Sequence, residues 1–137
     1  MAWLNATPKP PEGSKRASTP NQPPAVSRVE QLKRYGLPAR MPPNPAPHFI
    51  DRLVEIGLTE ATGMGSAPLS WSSIASWQSV MCITLQPWES RLIRKLSVEY
   101  LAESRRAECE NCPPPWRTEP TEQERQVELD RLRMVLG

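Results

Sequence analysis

The sequence predicts an all-α fold: a small helical domain built around an antiparallel helix hairpin, with a Pro-rich, largely irregular N-terminal arm. Three observations carry that prediction. Apolar residues recur at helical spacing in separate stretches between residues 29 and 136, while few stretches alternate with period two. Helix-start and helix-stop residues bracket those stretches. The 17 prolines of the 137-residue chain crowd into the segments around them, where each removes a backbone donor. Strands are therefore not expected.

The first segment is the arm, residues 1–25. Pro8, Pro10, Pro11, Pro20, Pro23 and Pro24 hold it extended, and Gly13, Ser14, Ser18 and Thr19 lie among them. Its few apolar side chains cannot offset the entropy of ordering, so it reads as disordered or polyproline-like, apart from Trp3 and Leu4. A helical domain is expected over 26–108. Ser27 and Glu30 have the spacing of a capping box, and Val29, Leu32 and Tyr35 follow at intervals of three before Gly36 and Pro38 stop the helix. Met41–Pro47 is a stiff spacer. A second helix runs from about Pro47 to Ile56, with Phe49, Ile50, Leu53, Val54 and Ile56 on its apolar side and Gly57 at its end.

Gly63-Met64-Gly65 lacks the preceding strand and third glycine of a dinucleotide fingerprint, so it reads as a loop. The next helix, about 70–82, opens with Ser70 as its cap. Leu69 and Ile74 occupy the two positions of a hydrophobic staple, and Trp71, Ile74, Trp77 and Met81 follow near-helical spacing. After a four-residue connection, Pro87 and Glu89 suit the first turn of a longer helix, about 87–108, with Trp88, Leu92, Leu96 and Tyr100 in register. This pair forms the expected hairpin, with its three tryptophans read as core. Residues 109–137 are expected to be a Cys/Pro linker and a C-terminal helix whose capping box is Thr121 with Glu124.

Chemistry is sparse. Cys109-Glu110-Asn111-Cys112 supplies two metal ligands where zinc takes four; Cys82 is a possible third and the single histidine, His48, is far away in sequence. Dithiol redox chemistry would call for a βαβ context that is lacking. A catalytic triad is hard to build around the single histidine, which sits between Pro47 and Phe49 at a helix start and reads as structural, so no catalytic, cofactor-binding or metal-binding set is expected, and no enzyme. No apolar run reaches the roughly 18 residues of a membrane span. The N-terminus lacks the basic segment and apolar core of a signal peptide, which makes the cytosol the expected compartment. Charge is uneven: residues 1–47 hold seven Lys/Arg against two Asp/Glu, and residues 48–137 hold ten against thirteen. That basic arm is too dilute for a nucleic-acid footprint, although the 70–82 and 87–108 pair leaves a small DNA-binding regulator as an alternative.

Pro68-Leu69-Ser70-Trp71-Ser72-Ser73-Ile74-Ala75-Ser76-Trp77, then Leu85-Gln86-Pro87-Trp88-Glu89, then Leu92–Leu101 resemble the tail assembly chaperones of long-tailed bacteriophages and prophages. Met1-Ala2-Trp3-Leu4, Gln31–Gly36 and Gly63-Met64-Gly65 resemble the same group. The resemblance implies a small, helical, non-enzymatic protein of the host cytoplasm that binds the tape-measure protein, or another tail protein, during tail assembly and is absent from the finished particle. It implies no cofactor. Self-association and a frameshifted longer form remain open, as does the alternative of an inhibitor of a host protein. Helix-in-groove binding by such a protein needs exposed apolar anchors. Phe49, Leu53, Trp71, Trp77, Trp88 and Leu92 are the candidates. The same residues also fit a closed monomer core.

Overall fold

The computed structural model describes residues 1–18, 20 and 24–137. Thr19, Asn21, Gln22 and Pro23, all in the Pro-rich arm, lie outside the described residues. Helices dominate: α1 (Ala2–Asn5), α2 (Arg28–Arg34), α3 (Pro47–Ile56), α4 (Trp71–Met81), α5 (Pro87–Ala107) and α6 (Glu122–Leu136). α2 to α6 coincide with the expected helices to within a residue or two; α1 is a single turn at the start of the arm that was expected to be irregular. The expectation of no strands is corrected. β1 (Glu60–Thr62) pairs antiparallel with β2 (Gly65–Ala67) around a Gly63–Met64 turn. Strands of three residues are too short for alternation to register, and Gly65 at φ 118° is the position where glycine's freedom is needed. The Thr62 hydroxyl donates to Gly65 O at 2.8 Å and closes the turn.

The chain divides into two compact units. The first is Pro43–Arg106. Its core joins Phe49 and Leu53 of α3 to Leu69, to Ile74 and Trp77 of α4, to Leu85, and to Ile93 of α5. Leu69, Ile74 and Ile93 are at most 1% exposed, so the two staple positions are both buried. Each end of α4 is fastened. Ser70 Oγ accepts from Ser73 N at 3.2 Å at the start. At the finish Cys82 takes the left-handed conformation (φ 53°), and Ile83 N donates back to Gln78 O at 3.0 Å. The Gln78 side chain then accepts from Leu85 N at 2.8 Å, which sets the bend toward α5. Glu89 Oε2 accepts from Gln86 N at 2.7 Å in the first turn of α5, and its other oxygen meets Arg52 of α3 at 3.3 Å. A buried hydroxyl completes this unit. Ser97 Oγ donates to Leu58 O at 2.7 Å and accepts from Leu69 N at 2.9 Å, so one side chain of α5 fastens two connecting segments.

The second unit comprises Trp3–Pro42 and Ala107–Gly137. Polar contacts organise it. The expected apolar stripe of α2 is not its buried face: Val29 and Leu32 are half-buried, Tyr35 is exposed, and Arg28 is 7% exposed. The Arg28 guanidinium donates to Trp3 O at 3.1 Å, Ala107 O at 2.6 Å and Cys109 O at 2.9 Å, and stacks 4.4 Å from the Trp3 ring centroid. Trp3 Nε1 donates to Cys112 O at 2.9 Å, and Lys9 pairs with Glu108 through backbone and side chain. The Ser27 cap forms, with Ser27 Oγ accepting from Glu30 N at 3.4 Å. The full reciprocal capping box forms at α6, between Thr121 and Glu124. Glu124 also takes Arg40 Nη2 at 2.7 Å.

Candidate interaction surface

The six candidate residues separate by burial. Phe49, Leu53 and Trp77 belong to the core of the Pro43–Arg106 unit, and Leu92 is half-buried against it. Trp71 and Trp88 are 52% and 56% exposed, which corrects the reading of all three tryptophans as core. The reason is positional. Each of the two exposed indoles sits in the first turn of its helix, one or two residues past the cap, where helical spacing continues beyond the region that the neighbouring elements cover. Met81, at the opposite end of the α4 stripe, is 41% exposed for the same reason.

Both indoles nonetheless have neighbours that orient them. Trp88 meets the Phe49 ring edge-on at 5.6 Å, and Phe49 in turn lies 4.3 Å from His48. The Arg94 guanidinium lies 5.3 Å from the Trp71 centroid, within cation–π range. Arg94 Nε is buried and finds no acceptor among the described residues, and neither does the indole N–H of Trp77.

On α5, Trp88, Arg91, Lys95, Val98 and Ala102 recur at intervals of three and four, so they share one face. All five are exposed. Ile93, Ser97 and Leu101 lie on the opposite, buried side. Arg91 and Lys95 make no hydrogen bond or ion pair among the described residues. Glu99 borders the stripe and is the carboxylate nearest its middle by helical position.

Glu60 shows how an acidic group is handled in the same unit. Its Oε1 accepts from Ser70 N and Ser70 Oγ, each at 2.8 Å, at the positive end of α4. Hydrogen bonding from Ser73 and Ser70 holds its carboxyl below the usual carboxylate range. Sequence reasoning missed Glu60, Ser97 and Arg28. A small hydroxyl in the middle of the apolar side of α5 was a signal for Ser97; nothing local marks the other two.

In the second unit, a groove of about 700 Å³ is lined by Trp3, Arg28, Tyr35, Val127, Glu128 and Arg131, among others. Its cations are already committed: Arg28 to carbonyls, and Arg131 to Glu128 and the face of Tyr35. Burial pushes the Arg28 guanidinium below its usual value, and Cys112 and Cys109 nearby push it partly back. The three cysteines are free thiols. Among the described residues no three His, Cys, Asp or Glu side chains gather into a metal-binding group, and no helix is long and apolar enough to cross a membrane.

No curated protein and no solved structure matches the chain. The Met1–Leu4 and Gln31–Gly36 segments lie outside what a family model recognises. Residues 43–102, nearly the whole of the Pro43–Arg106 unit, match the model of a phage tail assembly chaperone family.

Proposed function

We propose that this chain is a tail assembly chaperone that holds the tape-measure protein in the host cytoplasm while a phage tail forms, and that it leaves before the particle is complete. The match over residues 43–102 supports a tail-assembly chaperone role. The observation that carries the finer reading is the pair of half-exposed indoles, Trp71 and Trp88, within that matched unit. Tryptophan and arginine dominate the energetics of binding surfaces, and two half-exposed indoles on one folded unit supply anchors of that kind. Phe49 meets Trp88 edge-on, and Leu53, Trp77 and Leu92 belong to the packed interior of the same unit. The role requires no bond to be made or broken.

Co-expression of the chain with the tape-measure protein tests the reading. The chaperone should raise the tape-measure protein's soluble yield and co-purify with it, and it should be missing from purified particles. An unchanged yield without co-purification refutes the proposal. Trp88→Ala separates the surface from the core. Because Trp88 is 56% exposed, its removal should cost stability only about 1 kcal/mol, well short of a core indole. Capture of the tail protein should fall by at least tenfold, as expected for a binding hot spot.

A further inference from the structure

We propose that the outer face of α5 docks an acidic amphipathic helix of the tail partner, with Arg91 and Lys95 selecting its carboxylates and Trp88 anchoring its apolar side. The proposal rests on the reading of the chain as a tail assembly chaperone and adds the chemistry of what it recognises.

Three observations converge on that face. Trp88, Arg91, Lys95, Val98 and Ala102 form one exposed stripe about 21 Å long at ~1.5 Å per residue, enough for about four turns of a partner helix. Arg91 and Lys95 lie within it unpaired among the described residues, whereas Arg52 and Arg105 of the same unit are held by Glu89 and by Ser66 O. Surface cations left without intramolecular partners are free to meet carboxylates, and complementarity of that kind sets partner choice and association rate. Arg94, next to Lys95 in the chain, stacks on Trp71 and so is likewise engaged within the unit. The apolar members distinguish a helix from nucleic acid. Val98 and Ala102 give a phosphate backbone nothing to contact. A helix with Leu or Ile on one side and Glu or Asp along the flank uses every residue of the stripe.

Synthetic peptides tiling the tape-measure protein, titrated into the full chain by calorimetry, test the proposal. The peptides bound should be acidic amphipathic segments. The double variant Arg91→Glu/Lys95→Glu should weaken their binding roughly 10–100-fold, and a peptide with its Glu residues changed to Lys should prefer that variant to the wild type. Lys33→Glu/Arg34→Glu, on α2, should bind like the wild type. An unchanged circular dichroism spectrum and melting temperature establishes that the reversed variant is folded; if it is not, Arg91→Gln/Lys95→Gln should still weaken binding several-fold. Binding confined to basic or uncharged segments overturns the proposal, as does equal affinity for the wild type and the charge-reversed variant. Competition by duplex DNA, or self-association that the reversal abolishes, overturns it in favour of nucleic acid or a second copy. If tape-measure protein is captured on co-expression but capture ignores the charge reversal, this proposal falls and the chaperone reading stands. If the wild type binds no peptide and captures no tape-measure protein, both fall.

Discussion

The two units of this chain are held together by different physics. In Pro43–Arg106 the interior is apolar and local order comes from helix caps, a staple and one buried hydroxyl. In Trp3–Pro42 with Ala107–Gly137 the organising residue is a cation, Arg28, whose guanidinium joins carbonyls at residues 3, 107 and 109. Ion pairs then link positions about a hundred residues apart, such as Lys9 with Glu108. Apolar burial is non-directional and scales with area, so it tolerates changes of detail. A fan of hydrogen bonds to carbonyls depends on one side chain being in place. The family model matches the apolar unit and not the polar one. The role that the match supports is accordingly sought in the first unit.

Three substitutions, in order of decreasing cost, test this contrast. Ile93→Ala empties a fully buried position of the apolar core and should destabilise the Pro43–Arg106 unit by roughly 2–5 kcal/mol in denaturant titration. A loss under 1 kcal/mol would show that this interior is loosely packed. Arg28→Met keeps much of the side-chain volume but strips three carbonyls of their donor, and should cost about 2–3 kcal/mol. The amide of Lys9, bonded to Glu108 O, should then exchange with solvent much faster, while amides of α4 keep their protection. Equal loss of protection in both units would mean that the two are not energetically distinct.

The smallest effect concerns pH. The Glu60 carboxyl titrates below the usual carboxylate range because its ionised form accepts hydrogen bonds from Ser73 and Ser70. A depressed native pKa means that its contribution is fully present above the usual carboxylate range and is lost as pH falls through the depressed value. Glu60→Gln should therefore lower the melting temperature slightly near neutrality and converge with the wild type at acid pH. A difference that persists unchanged in acid would assign the effect to shape rather than to charge.

Much of the architecture was legible in the sequence because it depends on neighbours along the chain. The caps at Ser27, Ser70 and Thr121 all form as expected, and the Leu69–Ile74 staple is buried. Periodicity was less informative about depth. It placed Trp71, Trp77 and Trp88 on the same kind of face, yet one is buried and two are not, because coverage at a helix end depends on what packs there. The reverse error occurred at α2, where Val29 and Leu32 advertised an apolar face and Arg28 became the buried residue.

Local sequence signals marked where α2 to α6 begin and end, since caps, prolines and glycines act within a turn or two of themselves. The packing of the folded chain set what those helices present to water: two indoles, Arg91 and Lys95 on the outside, Ser97 and Arg28 on the inside. Burial and pairing depend on groups brought together from distant positions, and such meetings leave no periodic trace in the chain.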